Sequence, residues 1–138
     1  MPNGIDLILA DHREVEALFA AFAERPTGST IGQVIDALEA HDQAEHAALY
    51  PLAGHLLGDA AAIERWAAAH SAVKKQIEHL TALEGPPLTD AFAVLQRLVA
   101  DHVRDEEKNL LPALARAATP EQLDGLGARI LQAKQRGG

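Results

Sequence analysis

Cysteine is absent from this 138-residue chain. That removes disulfide staples, thiolate zinc sites, iron–sulfur clusters and thiol catalysis together, and it fits a reducing compartment. A single domain of this length, 1–138, buries most of its unfolded surface and needs no staple. The opening Met-Pro-Asn-Gly-Ile-Asp lacks a basic stretch followed by an apolar one, so no signal peptide is expected and a cytoplasmic location is. No apolar run approaches the roughly 20 residues that cross a bilayer, so no membrane association is expected. An excess of positive charge is missing too. The net charge is −8, spread along the chain, and a polyanion would be repelled, so no nucleic-acid partner is expected. Strand-like alternation is absent throughout.

What the chain does have is helical spacing between Gly/Pro breaks. The breaks are Arg25 to Ser29, Gly54 to Gly58, Gly85 to Pro87, and Thr119-Pro120. Ile8, Val15, Leu18, Phe19 and Phe22 recur at the helical period, as do Leu95, Leu98, Val99 and Leu110. Thr30-Ile-Gly-Gln33 and Thr119-Pro-Glu-Gln122 fit capping boxes, and Asp59 and Thr89 are candidate N-caps. The pattern predicts helices at about 4–24, 30–55, 59–84 and 89–117, and a shorter one at about 120–135. Long helices with short connections imply an all-α, antiparallel up-down-up-down four-helix bundle over about 4–117. The last helix would dock Leu123, Leu126 and Ile130 on its outside.

The two halves repeat. His41-Asp-Gln-Ala-Glu45 through Leu49-Tyr50-Pro51 aligns without a gap on His102-Val-Arg-Asp-Glu106 through Leu110-Leu111-Pro112. Each copy is preceded by another histidine, His12 and His70, at nearly the same offset. Residues four apart share a helix face, so His41 with Glu45, and His102 with Glu106, can aim at one place. Imidazole suits transition metals, and a carboxylate can bridge two cations about 3.5–4 Å apart. Taken singly, a histidine on a helix or a His-x-x-x-Glu pair is ordinary. Two copies at equal distance from a Leu-x-Pro, each with a spaced histidine before it, point to a paired metal site. One metal would take His12 and His41, the other His70 and His102. His79 lies about 180° around the helix from His70 and His46 about 100° off Glu45, while His55 falls beyond Pro51, so all three are expected at the surface. Glu-x-x-His, which ferritin-like bundles use, and the His-Glu-x-x-His of zinc proteases are both absent.

With His12, His41-x-x-x-Glu45, His70 and His102-x-x-x-Glu106 spread over four predicted helices, the chain resembles the hemerythrin-like (HHE cation-binding) family. The resemblance implies a four-helix bundle holding two iron ions, an oxo- or hydroxo-bridged non-haem di-iron centre, and a function in binding O2, sensing oxygen or redox state, or reacting with peroxide and nitric oxide. The oxygen-carrying members have a second histidine one turn on in the third helix, where this chain has Lys74, and an ammonium has no lone pair to donate. Those members place the last carboxylate five residues after its histidine, at Glu107 here, whereas Glu106 fits the internal repeat and ranks first. A centre with one fewer histidine, more evenly divided between its irons, favours redox turnover of H2O2 or NO with an unspecified electron donor. The alternative is reversible O2 binding or sensing without turnover.

Two further expectations follow. Pro51 cannot donate to the carbonyl of Ala47, so the helix is loosened there. Tyr50 then either turns inward, to ligate iron or to hydrogen-bond an oxidant, or packs as an aromatic at the bundle end. Glu16 and Lys74 are equivalent under the repeat, and either pair across the site or stand as separate surface charges, the more common outcome.

Overall fold

The computed structural model describes residues 3–137, and among these residues every regular element is helical. Helix α1 is Gly4–Glu24 and α2 is Gly28–Ala44, which runs through a π turn at Glu45–Leu49 into α3, Tyr50–Leu57. After α4, Ala60–Leu80, comes α5, Pro86–Asp105, which passes through a second π turn, Glu106–Leu110, into α6, Leu111–Ala117. Helix α7, Pro120–Gly137, closes the chain and packs on α1, α2 and the first π turn. None of these helices is long and apolar enough to cross a membrane.

The caps explain where the sequence-based boundaries move. Helix α2 starts two residues early because Thr27, not Thr30, is the cap. The Thr30 amide donates to Thr27 Oγ1 at 3.2 Å and the Thr27 amide to Thr30 Oγ1 at 3.1 Å, a reciprocal box with threonine in the third position. Helix α5 begins at Pro86 rather than beside Thr89. Gly85, at φ 66°, turns the chain, and Pro86 needs no amide partner at the first helical position. Asp59 caps α4 through the Ala62 amide at 3.0 Å, and Thr119 with Gln122 forms the expected box before α7. Helix α4 ends at Leu80, short of the expected 84, where the chain turns toward Gly85.

Two apolar clusters hold these helices together. One gathers Leu49, Trp66, Leu110 and Leu114 with Leu126 and Ile130 of α7. The other gathers Phe19, Phe22, Leu80, Phe92 and Leu95, the Phe22 and Phe92 ring centroids lying 3.9 Å apart. Each fully buried side chain of this size contributes about 1.5–3 kcal/mol. Along each of the four helices that carry them, His12, His41, His70 and His102 fall between residues of the first cluster and residues of the second. The histidines therefore form a polar layer between two apolar ones.

Candidate metal centre

His12, His41, His70, His102, Glu45 and Glu106 are all buried, and both glutamates are fully inaccessible to solvent. Their donor atoms form two overlapping groups. His12, His41, Glu45 and Glu106 make one, and Glu45, His70, His102 and Glu106 make the other, with the donor atoms of each group within 4.8 Å of one another. Glu45 and Glu106 belong to both. His41 Nε2 lies 3.1 Å from Glu45 Oε2, and His102 Nε2 lies 3.0 Å from Glu106 Oε2, the one-turn pairing read from the repeat.

Burying two carboxylates among imidazoles costs several kcal/mol per charge unless positive charge faces them. Burial opposes protonation of His41, yet the nearby Glu45 charge and the hydrogen bond to Asp11 outweigh it and push its pKa up to about 10. His102 responds the same way: burial disfavours its charge, but Glu106 and Glu45 raise it to about 9. Burial would raise Glu45, but His41 and the other imidazoles hold it well below its ordinary value. The cluster thus demands cations. Among the described residues, His41 Nε2 and Glu45 Oε2 make no hydrogen bond although they are buried, capacity that a metal would use once it displaced the imidazole proton. The donor set fits a metal site, and metal can take the place of the protons.

Each imidazole but one is oriented from behind. Asp11 Oδ2 accepts from His41 Nδ1 at 3.1 Å, Asp42 Oδ1 accepts from His70 Nδ1, and Glu107 Oε2 accepts from His12 Nδ1 at 2.7 Å. Such carboxylates fix the tautomer and aim Nε2 at the metal position. Asp11 and Asp42 were not singled out in the sequence, and Glu107 lies behind His12 rather than among the clustered donors. Lys134, from α7, donates to Asp11 Oδ1. Burial raises the Asp11 carboxyl, but His41 and Lys134 bring its pKa below the ordinary value. Among the described residues, His102 Nδ1 has no hydrogen-bond partner.

Tyr50 turns inward. Its Oη lies 2.7 Å from Glu106 Oε2, 3.1 Å from Glu45 Oε1, 2.7 Å from His70 Nε2 and 3.4 Å from His102 Nε2, in reach of every member of the second group. Burial and the two glutamate charges raise its pKa, so the phenol keeps its proton in the metal-free protein. The π turn achieves this placement, the Tyr50 amide bonding to the Glu45 carbonyl five residues back.

Glu16 and Lys74 do not meet. Glu16 is exposed and pairs with Arg13 at 3.1 Å, whereas Lys74 stands exposed beside a cavity, so of the two expected outcomes the structure has the separate surface charges. His46, His55 and His79 are exposed, as expected. His46 nonetheless reaches Asp42 at 3.2 Å, behind His70.

An all-helical scaffold that buries paired imidazole and carboxylate donors at its centre defines a metal-binding helical protein. Comparison with known proteins narrows the class: the chain belongs to the hemerythrin HHE cation binding domain family, whose model matches residues 3–114. A DNA nickase from Nostoc sp. is 29% identical over 137 residues, a match covering 95% of this chain and 39% of that protein, so the chain spans well under half of the relative's length. A hemerythrin HHE cation binding domain-containing protein from Mycobacterium kansasii superposes with a TM-score of 0.88 at 19% identity, over 99% of this chain and 88% of that one. That likeness is one of fold.

Proposed function

We propose that this chain is a non-haem di-iron oxidoreductase of hydrogen peroxide, nitric oxide or both, built on an antiparallel up-down-up-down arrangement of its four long helical rods. The observation that carries the reading is the sharing of Glu45 and Glu106 between two buried donor groups. His12 and His41 would hold one iron, and His70 and His102 the other. Glu45 and Glu106 would serve both, because a carboxylate can span two cations. Tyr50 would serve the second iron, since its oxygen reaches that group's four donors.

The iron pair supplies redox chemistry when bound. The chain supplies the rest. Asp11, Asp42 and Glu107 hold the Nδ1 protons of three imidazoles, so that Nε2 faces the centre. Tyr50 Oη holds its proton between Glu45 and Glu106, and without that proton it would offer a further donor to a metal. The two apolar clusters flank the donor layer and keep its two glutamates away from bulk water. Turnover would also require an electron donor, whose nature is unspecified.

Metal content and absorption of the protein as purified test the centre: two irons per chain and ferric charge-transfer bands are expected. Rapid mixing with peroxide or nitric oxide then tests the reaction. Sustained consumption of either oxidant supports turnover. A stable, reversible oxygenated spectrum without consumption would instead make the protein an O2 binder.

A further inference from the structure

A cavity of about 320 Å³ opens between α2 and α4 and reaches inward until the four histidines form its floor. Neither Glu45, Glu106 nor Tyr50 borders it, so it approaches the donor layer from the face opposite the carboxylates and the phenol. Its walls are aliphatic: Val15, Leu38, Val73, Ile77, Val99 and Val103. Most of these retain a little exposure, 9% for Ile77 and Val103, where Leu95 and Val34 of the same apolar cluster have none.

The space is far larger than small oxidants require. One water occupies about 30 Å³ of liquid, so the cavity has room for roughly ten non-hydrogen atoms. Its size and apolar lining are those of a small-molecule site with few polar groups. The rim chooses the charge of the occupant. Glu39 and Glu78 stand there against Lys74, with Asp42 already engaged by His70 and His46, so carboxylates remain in the majority at the mouth and disfavour anions. The aliphatic walls offer no hydrogen bond to a second polar group.

We propose that this cavity binds a neutral organic molecule with an apolar body and a single alcohol or hydroperoxide head, the body against the aliphatic walls and the head toward the histidine floor. Binding itself does not rest on the redox reading; only the role of a hydroperoxide as a substrate would.

The probe is 2-phenyl-2-propanol, a neutral alcohol of suitable size, titrated calorimetrically into the metal-loaded protein as purified, with benzoate as the anionic counterpart. Saturable one-to-one binding with a Kd below about 1 mM is expected, with benzoate weaker by roughly tenfold or more. Methyl resonances of Val15, Val99 and Val103 should shift with the same saturation. Val73→Trp on the α4 wall and Val99→Phe on the α5 wall fill the space from two sides, and each should weaken binding by roughly tenfold. Circular dichroism and metal content identify which variants remain folded. The methyl shifts of the unaltered protein decide the matter if neither does. Absence of saturable binding, methyl shifts confined to other residues, equal affinity for benzoate, or undiminished binding in a folded, filled variant would overturn the proposal. Alcohol binding without peroxide or nitric oxide consumption would leave this site standing and remove the redox reading; the converse result would do the reverse.

Discussion

Glu45 and Tyr50 are five residues apart and still meet, carboxylate to phenol, at 3.1 Å. On a regular α-helix, five residues amount to about 140° of rotation, and these side chains would diverge. The wide turn between them restores a common face. Inserting one alanine after Ala47, an exposed residue inside that turn, adds a residue to it and should swing Tyr50 away from Glu45 by about 100°. The variant is expected to lose the metal at the His70–His102 position. A metal titration that still finds two equivalents and an unchanged visible spectrum would refute this.

Tyr50→Phe separates the phenol from the turn. The ring should still pack 6.4 Å from Trp66, between centroids, while Glu45, Glu106, His70 and His102 lose their shared partner. In the metal-free protein, about 1–3 kcal/mol of stability should go with it, the usual cost of stranding buried polar groups. In the iron-loaded protein, a phenolate-to-ferric visible band should vanish. Persistence of that band would remove Tyr50 as an iron donor.

Asp11 joins two distant parts of the chain, His41 at the centre and Lys134 on the last helix. Asp11→Ala should lower metal affinity by about 10–100-fold, as expected when the carboxylate that aims a ligand is removed. Lys134→Met should produce a smaller loss in the same direction. Competition against a chelator measures both, and equal affinity in all three proteins would disprove the linkage.

Metal and acidity should act in opposition. Without metal, His41 and His102 keep their protons to about pH 10 and 9, while unfolded histidines release theirs near 6.5. Their contribution to stability is therefore complete below about pH 6.5 and disappears as pH climbs through the folded values. Glu45, Asp11 and Asp42 are held low, so their contribution is present above about pH 4.5 and lost on further acidification. The metal-free Tm should peak between those limits. Metal needs the Nε2 lone pairs, so the gap between loaded and metal-free Tm should widen from about pH 6 to about pH 9. A gap that narrows over that interval would contradict the assignment.

Gly4 sits against Leu126, where α1 and α7 pack together. A methyl group there would overlap Leu126, including its Cβ, which cannot move without its helix. Gly4→Ala should cost about 1–3 kcal/mol by overpacking, read as a lower Tm. No change in Tm would mean that α7 is less tightly seated than its buried Leu126 and Ile130 imply.

Much of this architecture is written in local patterns. The His-x-x-x-Glu repeats identified the clustered donors because one helical turn is a short-range rule, and Pro51 announced a distortion that directs Tyr50. The form of that distortion, a π turn repeated before Pro112, is not encoded by proline alone, which serves kinks equally well. The carboxylates behind the histidines were hidden by their own proximity. Asp11 adjoins His12 and Asp42 adjoins His41, but neighbours on a helix point about 100° apart, so each serves a histidine on a different helix. Asp101 adjoins His102 in the same way and merely binds Arg104 at the surface. Only the packing of helix against helix tells these dipeptides apart. The repeat also masks a break in symmetry: Ala69 occupies the position that corresponds to Asp11, and His102 Nδ1 is left bare.

The reach of Lys134 to Asp11 means that the chain's tail is not ornamental cladding. Clipping the protein after Ala118 would uncover Ile8 and Leu49, and it would also release the rear anchor of one imidazole from its ammonium tether. A shortened version could thus keep all six clustered donors in its sequence and still grip a cation less firmly.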